Sequence, residues 1–162
     1  MLILENKKSA SSFFAYGLTP IDIVAPHPGG GCDIVMGQQV YHDPASAPGT
    51  FMESLCLKNG TTLEGSYASS GYLLEGSYKR PIYIGGSCNQ IFIPTSSPKD
   101  DHCTWLSLNY CLKAPLEAYN NLGYRKISAR CWQKHVSDGI RLQYAIFRQK
   151  ERTDEHLSLI HI

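Results

Sequence analysis

Residues 78–107 read YKRPIYIGGSCNQIFIPTSSPKDDHCTWLS, and this stretch decides the fold. Ile82-Tyr83-Ile84 and Ile91-Phe92-Ile93 are short runs of branched and aromatic residues. Gly85-Gly86-Ser87 separates them, and Pro94-Thr95-Ser96-Ser97-Pro98 closes the second. Short apolar runs bounded by Gly, Pro and Ser are the pattern of buried strands joined by turns. A third run, Thr104 to Cys111 around Trp105, Leu106 and Leu108, would complete a meander.

Downstream, Lys113-Ala114-Pro115 opens an Asn-rich linker with a turn at Asn120-Asn121 and Gly123. From Tyr124 to Trp132 the cations Arg125, Lys126 and Arg130 interleave with Tyr124, Ile127 and Trp132. Ser137-Asp138 offers a helix N-cap. Ile140, Tyr144 and Phe147 follow at i, i+4 and i+7, the stripe expected to pack on the sheet. Arg141, Arg148 and Arg152 form a second stripe, about 100° around the helix from the first.

Upstream, Ile21-Asp22-Ile23-Val24 is a strand, broken by Pro26-His27-Pro28 and Gly29-Gly30-Gly31. The three glycines precede no Gly-Lys-Ser/Thr and open no helix, so they read as a turn rather than a phosphate loop. Ile34-Val35-Met36 and Gln39-Val40-Tyr41 form a hairpin about Gly37. Phe51 to Leu57 alternates loosely and meets Asn59-Gly60, a two-residue hairpin signal. Leu63-Glu64-Gly65-Ser66-Tyr67 recurs as Leu74-Glu75-Gly76-Ser77-Tyr78. Two copies do not make a repeat protein, and they are expected to mark two similar strand ends.

The 162 residues suffice for one domain with its own core. The net charge of +1 conceals an asymmetry. Residues 1–78 carry three basic and seven acidic side chains, and residues 79–162 carry twelve and seven. Residues 125–152 hold eight basic side chains against Asp138 and Glu151, which suits a localised anionic partner. No apolar run approaches the ~20 residues that span a bilayer, so no membrane partner is expected. The start shows no secretory signal, because Glu5, Lys7 and Lys8 follow Met1 to Leu4 at once. The six cysteines are accordingly expected to be reduced thiols.

Three catalytic or metal readings compete. His102, Cys103, Cys111, Cys131 and His135 contain one zinc-like pair, Cys131-x3-His135, where structural sites usually have two. Asp101-His102-Cys103 sets acid, base and thiol side by side, whereas working groups meet through the fold. Glu64 and Glu75 are a carboxylate pair with nothing to fix their separation. No enzyme activity, metal or cofactor is therefore expected.

The order Cys56-Leu57, Gly60, Leu63-Glu64-Gly65, Tyr78-Lys79-Arg80-Pro81-Ile82, then NQIFIPTSSPK at 89–99 and Cys103-Thr104-Trp105-Leu106-Ser107, resembles the ComK family of competence transcription factors. The match is best over 51–110, looser before, and returns from Ser137 to Arg152. Ser66 departs from it, standing where the family usually has a basic residue. The resemblance implies a bacterial activator of DNA-uptake genes, cytoplasmic and nucleoid-associated. It would bind double-stranded DNA at paired AT-rich promoter boxes as a homo-oligomer, mainly through the minor groove. An adaptor that delivers it to a Clp protease is a further implied partner. Charge and position select Lys79, Arg80, Arg125, Lys126, Arg130, Lys134, Arg141 and Arg148 as the DNA-facing residues. The alternative is a protein-interaction module that oligomerises without binding DNA; a small zinc- or cysteine-dependent enzyme ranks below it.

The expected fold is α+β: an antiparallel sheet, curving towards a barrel, from about 20 to 132, then a C-terminal amphipathic helix. Residues 1–19 form a polar leader with an aromatic hook at Phe13, Phe14 and Tyr16, and 20–156 form a single domain. Leu157 to Ile162 reads as a non-native tail, because CTG TCT CTT ATA CAC ATC encodes it and resembles a transposon end used to build sequencing libraries. Such a tail would replace the C-terminal portion through which the family meets its adaptor.

Overall fold

The computed structural model describes residues 2–5, 20–75 and 79–160. The aromatic hook and Tyr78 lie outside the described residues. Seven strands form one open sheet in the order β1-β4-β3-β2-β7-β6-β5, not closed into a barrel. They are β1 (Leu2–Glu5), β2 (Ile23–Pro26), β3 (Cys32–Met36), β4 (Gln39–Asp43), β5 (Ile82–Ile84), β6 (Gln90–Pro94) and β7 (Trp105–Ser107). All neighbours are antiparallel except β1, which pairs parallel to β4 at one edge.

Both faces of the sheet are buried, so the strands read as nearly continuous apolar runs. Alternate residues feed two cores. Val24, Ile34, Tyr41, Phe92 and Trp105 enter one, while Ile23, Val35, Val40, Ile93 and Leu106 enter the other. Phe51, Met52, Leu55 and Cys56 from helix α1 (Pro48–Lys58) cover the first. Helices α3 (Leu108–Lys113), α4 (Leu116–Asn120) and α5 (Ala129–Ile160) cover the second, with Leu108, Tyr119, Trp132 and Leu142. Helix α2 (Leu63–Leu73) flanks β5, shielding the other edge of the sheet.

The hairpin about Gly37 and the strands at 82–84 and 91–93 form as the sequence predicts. Phe51–Leu57 does not form a strand. Pro48 opens a helix there, and Phe51, Met52, Leu55 and Cys56 share its buried face. Asn59-Gly60 ends this helix rather than turning a hairpin. The Gly60 N–H donates to Leu57 O at 3.2 Å and the Thr61 N–H to Cys56 O at 3.0 Å, with Gly60 at φ 82°. This is a Schellman closure, which uses the same left-handed backbone that a hairpin turn would. The Asn59 side chain then ties α1 to the β5–β6 turn, accepting from Cys88 N and donating to Leu55 O.

The first Leu-Glu-Gly-Ser-Tyr copy starts a helix instead of ending a strand. Thr62 Oγ1 caps it, accepting from Gly65 N at 2.9 Å. The third run stops short of the expected Cys111. Its strand ends at Ser107, whose hydroxyl accepts from Tyr110 N at 3.0 Å and so caps α3.

Helix α5 begins at Ala129, well before the expected cap at Ser137-Asp138, with Ser128 Oγ accepting from Cys131 N. Its packing face is also not the one expected. Trp132, His135, Gly139 and Leu142 turn inward, whereas Ile140, Tyr144 and Phe147 are exposed. Gly139 sets the approach: a Cβ there would stand 2.7 Å from Leu108 Cδ1 and 3.2 Å from Ile93 Cδ1. The face that packs is the one with room to come close.

Candidate nucleic-acid interface

Helix α5 follows a loop held in a fixed shape. The Tyr119 hydroxyl donates to Arg125 O at 2.6 Å. Asn120 pairs with Ile127 twice, accepting from its N–H at 3.0 Å and donating to its carbonyl at 3.1 Å. Arg125 and Lys126 sit on this braced backbone with their side chains exposed.

On α5, Arg130, Lys134, Arg141, Arg148 and Arg152 are all exposed. At about 100° per residue they fall within some 40° of one another, opposite the packing face. The stripe spans 22 residues, about 33 Å along the axis at ~1.5 Å per residue, close to one turn of B-DNA. One acidic side chain meets it: the buried Asp138 forms an ion pair with Arg141 at 3.6 Å, while Glu151 points about 80° away. Arg148 also lies over the Tyr144 ring, 5.8 Å from its centroid.

Lys79 and Arg80 are half-buried in the segment before β5. Lys79 lies near His135, whose pKa is lowered first by burial, then by Lys134, and less by Lys79. Arg80 is committed within the fold. Its guanidinium donates to Tyr67 O from Nε at 3.3 Å and Nη2 at 3.0 Å, and sits 3.8 Å from the Tyr67 ring centroid. Of the eight selected residues, the structure therefore aligns Arg130, Lys134, Arg141 and Arg148, adds Arg152, and sets Arg80 apart.

The rival chemistries do not assemble. Cys103 is buried in the first core and Cys111 in the second, on opposite faces of the sheet, while Cys131 is exposed. Those residues cannot close around one ion. Burial raises the Cys103 pKa, and its thiol donates to backbone carbonyls of Ser96 and Thr104 rather than to an imidazole. Burial likewise pushes Cys32, Cys56 and Cys111 up to about 12 and Cys88 to about 11, so none is a thiolate at neutral pH. Glu64 and Glu75 are separated by α2, roughly 14 Å of helix, beyond the ~9.5 Å that paired glycosidase carboxylates use.

The profile of the ComK protein family matches residues 33–123, more than half of the chain. The chain belongs to the ComK family. This makes it a competence-related transcription factor in the general sense. The family segment runs from β3 through the whole meander to Gly123, wider than the 51–110 core of the resemblance. It stops before α5, so the ComK assignment rests on the sheet from β3 onward and the first four helices, and the basic stripe stands on its own geometry. No curated protein and no solved structure matches the chain.

Proposed function

We propose that this ComK-family protein activates competence genes by binding AT-rich promoter boxes, mainly through the minor groove. The observation that carries this reading is the five-cation stripe on the exposed face of α5, with Arg125 and Lys126 on a braced loop at its start. A helix is about 10–12 Å across and the minor groove about 6 Å wide, so α5 does not enter it. The helix lies over the groove, its cations on the phosphates of both walls. The slimmer Arg125–Lys126 loop inserts. A/T tracts narrow the groove and deepen its negative potential, which favours guanidinium insertion without any recognition helix.

The exposed Ile140, Tyr144 and Phe147, with Leu112 beside Ile140, support assembly as a homo-oligomer through a flank of the same helix. That apolar flank also favours the second reading, an interaction module that assembles without DNA. Action at promoters places the protein in the cytoplasm at the nucleoid; no helix among the described residues is long and apolar enough to cross a membrane. Delivery to a Clp protease by an adaptor is supported by family membership alone.

Inosine substitution tests the groove. An I·C pair lacks the guanine N2 amino group, so its minor groove resembles A·T while its major groove resembles G·C. Boxes with I·C in place of A·T are expected to bind within about threefold of the parent, and G·C boxes at least about tenfold more weakly. I·C boxes as weak as G·C boxes would rule out minor-groove readout.

A further inference from the structure

We infer that His27, Asp33 and His42 form a binding site for a first-row divalent transition-metal ion. Nδ1 of His27 and Nδ1 of His42 lie 2.9 Å and 3.1 Å from the same oxygen, Asp33 Oδ1. One ligand atom from each residue can be chosen so that all three lie within 4.8 Å of one another. The two imidazoles are close neighbours, with centroids 4.1 Å apart and planes tilted by 43°.

The arrangement follows from the sheet register. Asp33 of β3 and His42 of β4 are direct partners in the antiparallel ladder, so their side chains share a face. His27 follows β2, and its N–H donates to Gly31 O across the glycine turn. Gly31, at φ 76°, passes so close to Asp43 O that a Cβ would meet it at 2.1 Å. The three donors therefore rest on two paired strands and a turn pressed against the second of them.

Two features go beyond a hydrogen-bonded cluster. Asp33 is divided between two roles: the Tyr124 hydroxyl donates to Oδ2 at 3.2 Å, leaving Oδ1 to the histidines. A partner that orients a ligating carboxylate is the usual outer shell of a metal centre. The site also borders a cleft of about 380 Å³ walled by Pro26, Pro28, Gly123 and Arg125, with room for water or a further ligand on the ion. Two imidazole nitrogens and one carboxylate favour Zn²⁺, Co²⁺, Ni²⁺ or Cu²⁺ over Mg²⁺ or Ca²⁺. Metal–ligand distances of ~2.0–2.1 Å set tetrahedral donors about 3.3 Å apart, so the 2.9 Å and 3.1 Å separations from Oδ1 need only open slightly, and His27, with 39% of its side chain exposed, has the freedom to move. To ligate through Nδ1 each neutral imidazole carries its proton on Nε2 instead, and the ion takes the place of the two hydrogen bonds to Oδ1.

The test uses the full chain, stripped of metal, with Cys131→Ser to remove the exposed thiol. Calorimetric titration with Zn²⁺ is expected to show one ion per chain with micromolar affinity or better. His27→Ala and His42→Gln should each weaken binding by about a hundredfold or more, and Tyr124→Phe by about tenfold. Circular dichroism of each variant checks the fold. Co²⁺ should give visible d–d bands without a thiolate-to-metal charge-transfer band. No saturable binding by the parent, unchanged affinity in a folded His27→Ala/His42→Gln double variant, or a thiolate band would each overturn the site.

Discussion

Replacing Arg130, Lys134, Arg141 and Arg148 together by alanine is expected to lower affinity for duplex DNA by a hundredfold to a thousandfold, at up to about 1 kcal/mol per solvent-exposed ion pair with a phosphate removed. All four side chains are exposed on the face of α5 turned away from the sheet, but Arg141 also pairs with the buried Asp138, so circular dichroism of the variant checks that the helix still forms. Measured as log K against log salt, the slope should fall by about 3.6, at ~0.9 for each phosphate no longer neutralised. The salt slope separates the stripe from a solvated charged face. A face that merely keeps the protein dispersed would leave the slope where it was. Single variants Arg141→Ala and Arg148→Ala should each remove about one phosphate equivalent.

Trp105→Ala is expected to be the most damaging single change to the fold, costing about 3–5 kcal/mol. Trp105 is fully buried on β7, a central strand with neighbours on both sides. The loss would take a large part of a typical domain stability of ~5–15 kcal/mol. Urea unfolding would show it as a lower midpoint. Trp105→Phe is the informative companion. The indole Nε1–H is buried without a hydrogen-bond partner among the described residues. Phe keeps most of the volume and removes that orphan donor, so its cost should stay below about 1.5 kcal/mol. Equal losses from Ala and Phe would mean that the indole nitrogen, not the packed ring, matters at this position.

The strands at 82–84 and 91–93 were legible because sheet positions buried on both sides leave an unbroken apolar run that needs no tertiary knowledge to read. Helix α1 was not, since Asn59-Gly60 supplies the same positive-φ backbone to a Schellman stop as to a hairpin. The helix α5 itself was visible in its periodicity, but its packing face was hidden by Gly139. A residue chosen for having no side chain leaves no apolar signal, and the more apolar Ile140, Tyr144 and Phe147 drew the assignment instead.

The basic stripe was legible for a physical reason. Exposed helical side chains keep the angular order that local spacing dictates, whatever the rest of the chain does. Arg80 looked similar in composition, but its engagement with the Tyr67 carbonyl and ring is a tertiary interaction that charge counting does not see. The His27–Asp33–His42 cluster left no motif, because its donors are brought together by ladder register and a glycine turn rather than by sequence spacing.

The most direct test of DNA recognition by this protein is an equilibrium titration on duplexes carrying two spaced A/T boxes and on G·C-rich duplexes of equal length, repeated at several salt concentrations. The expected result is tighter binding to the A/T boxes by at least about tenfold at every salt, with steep salt dependence on both duplexes. Equal affinity for the two duplexes, or no binding even at low salt, would contradict it.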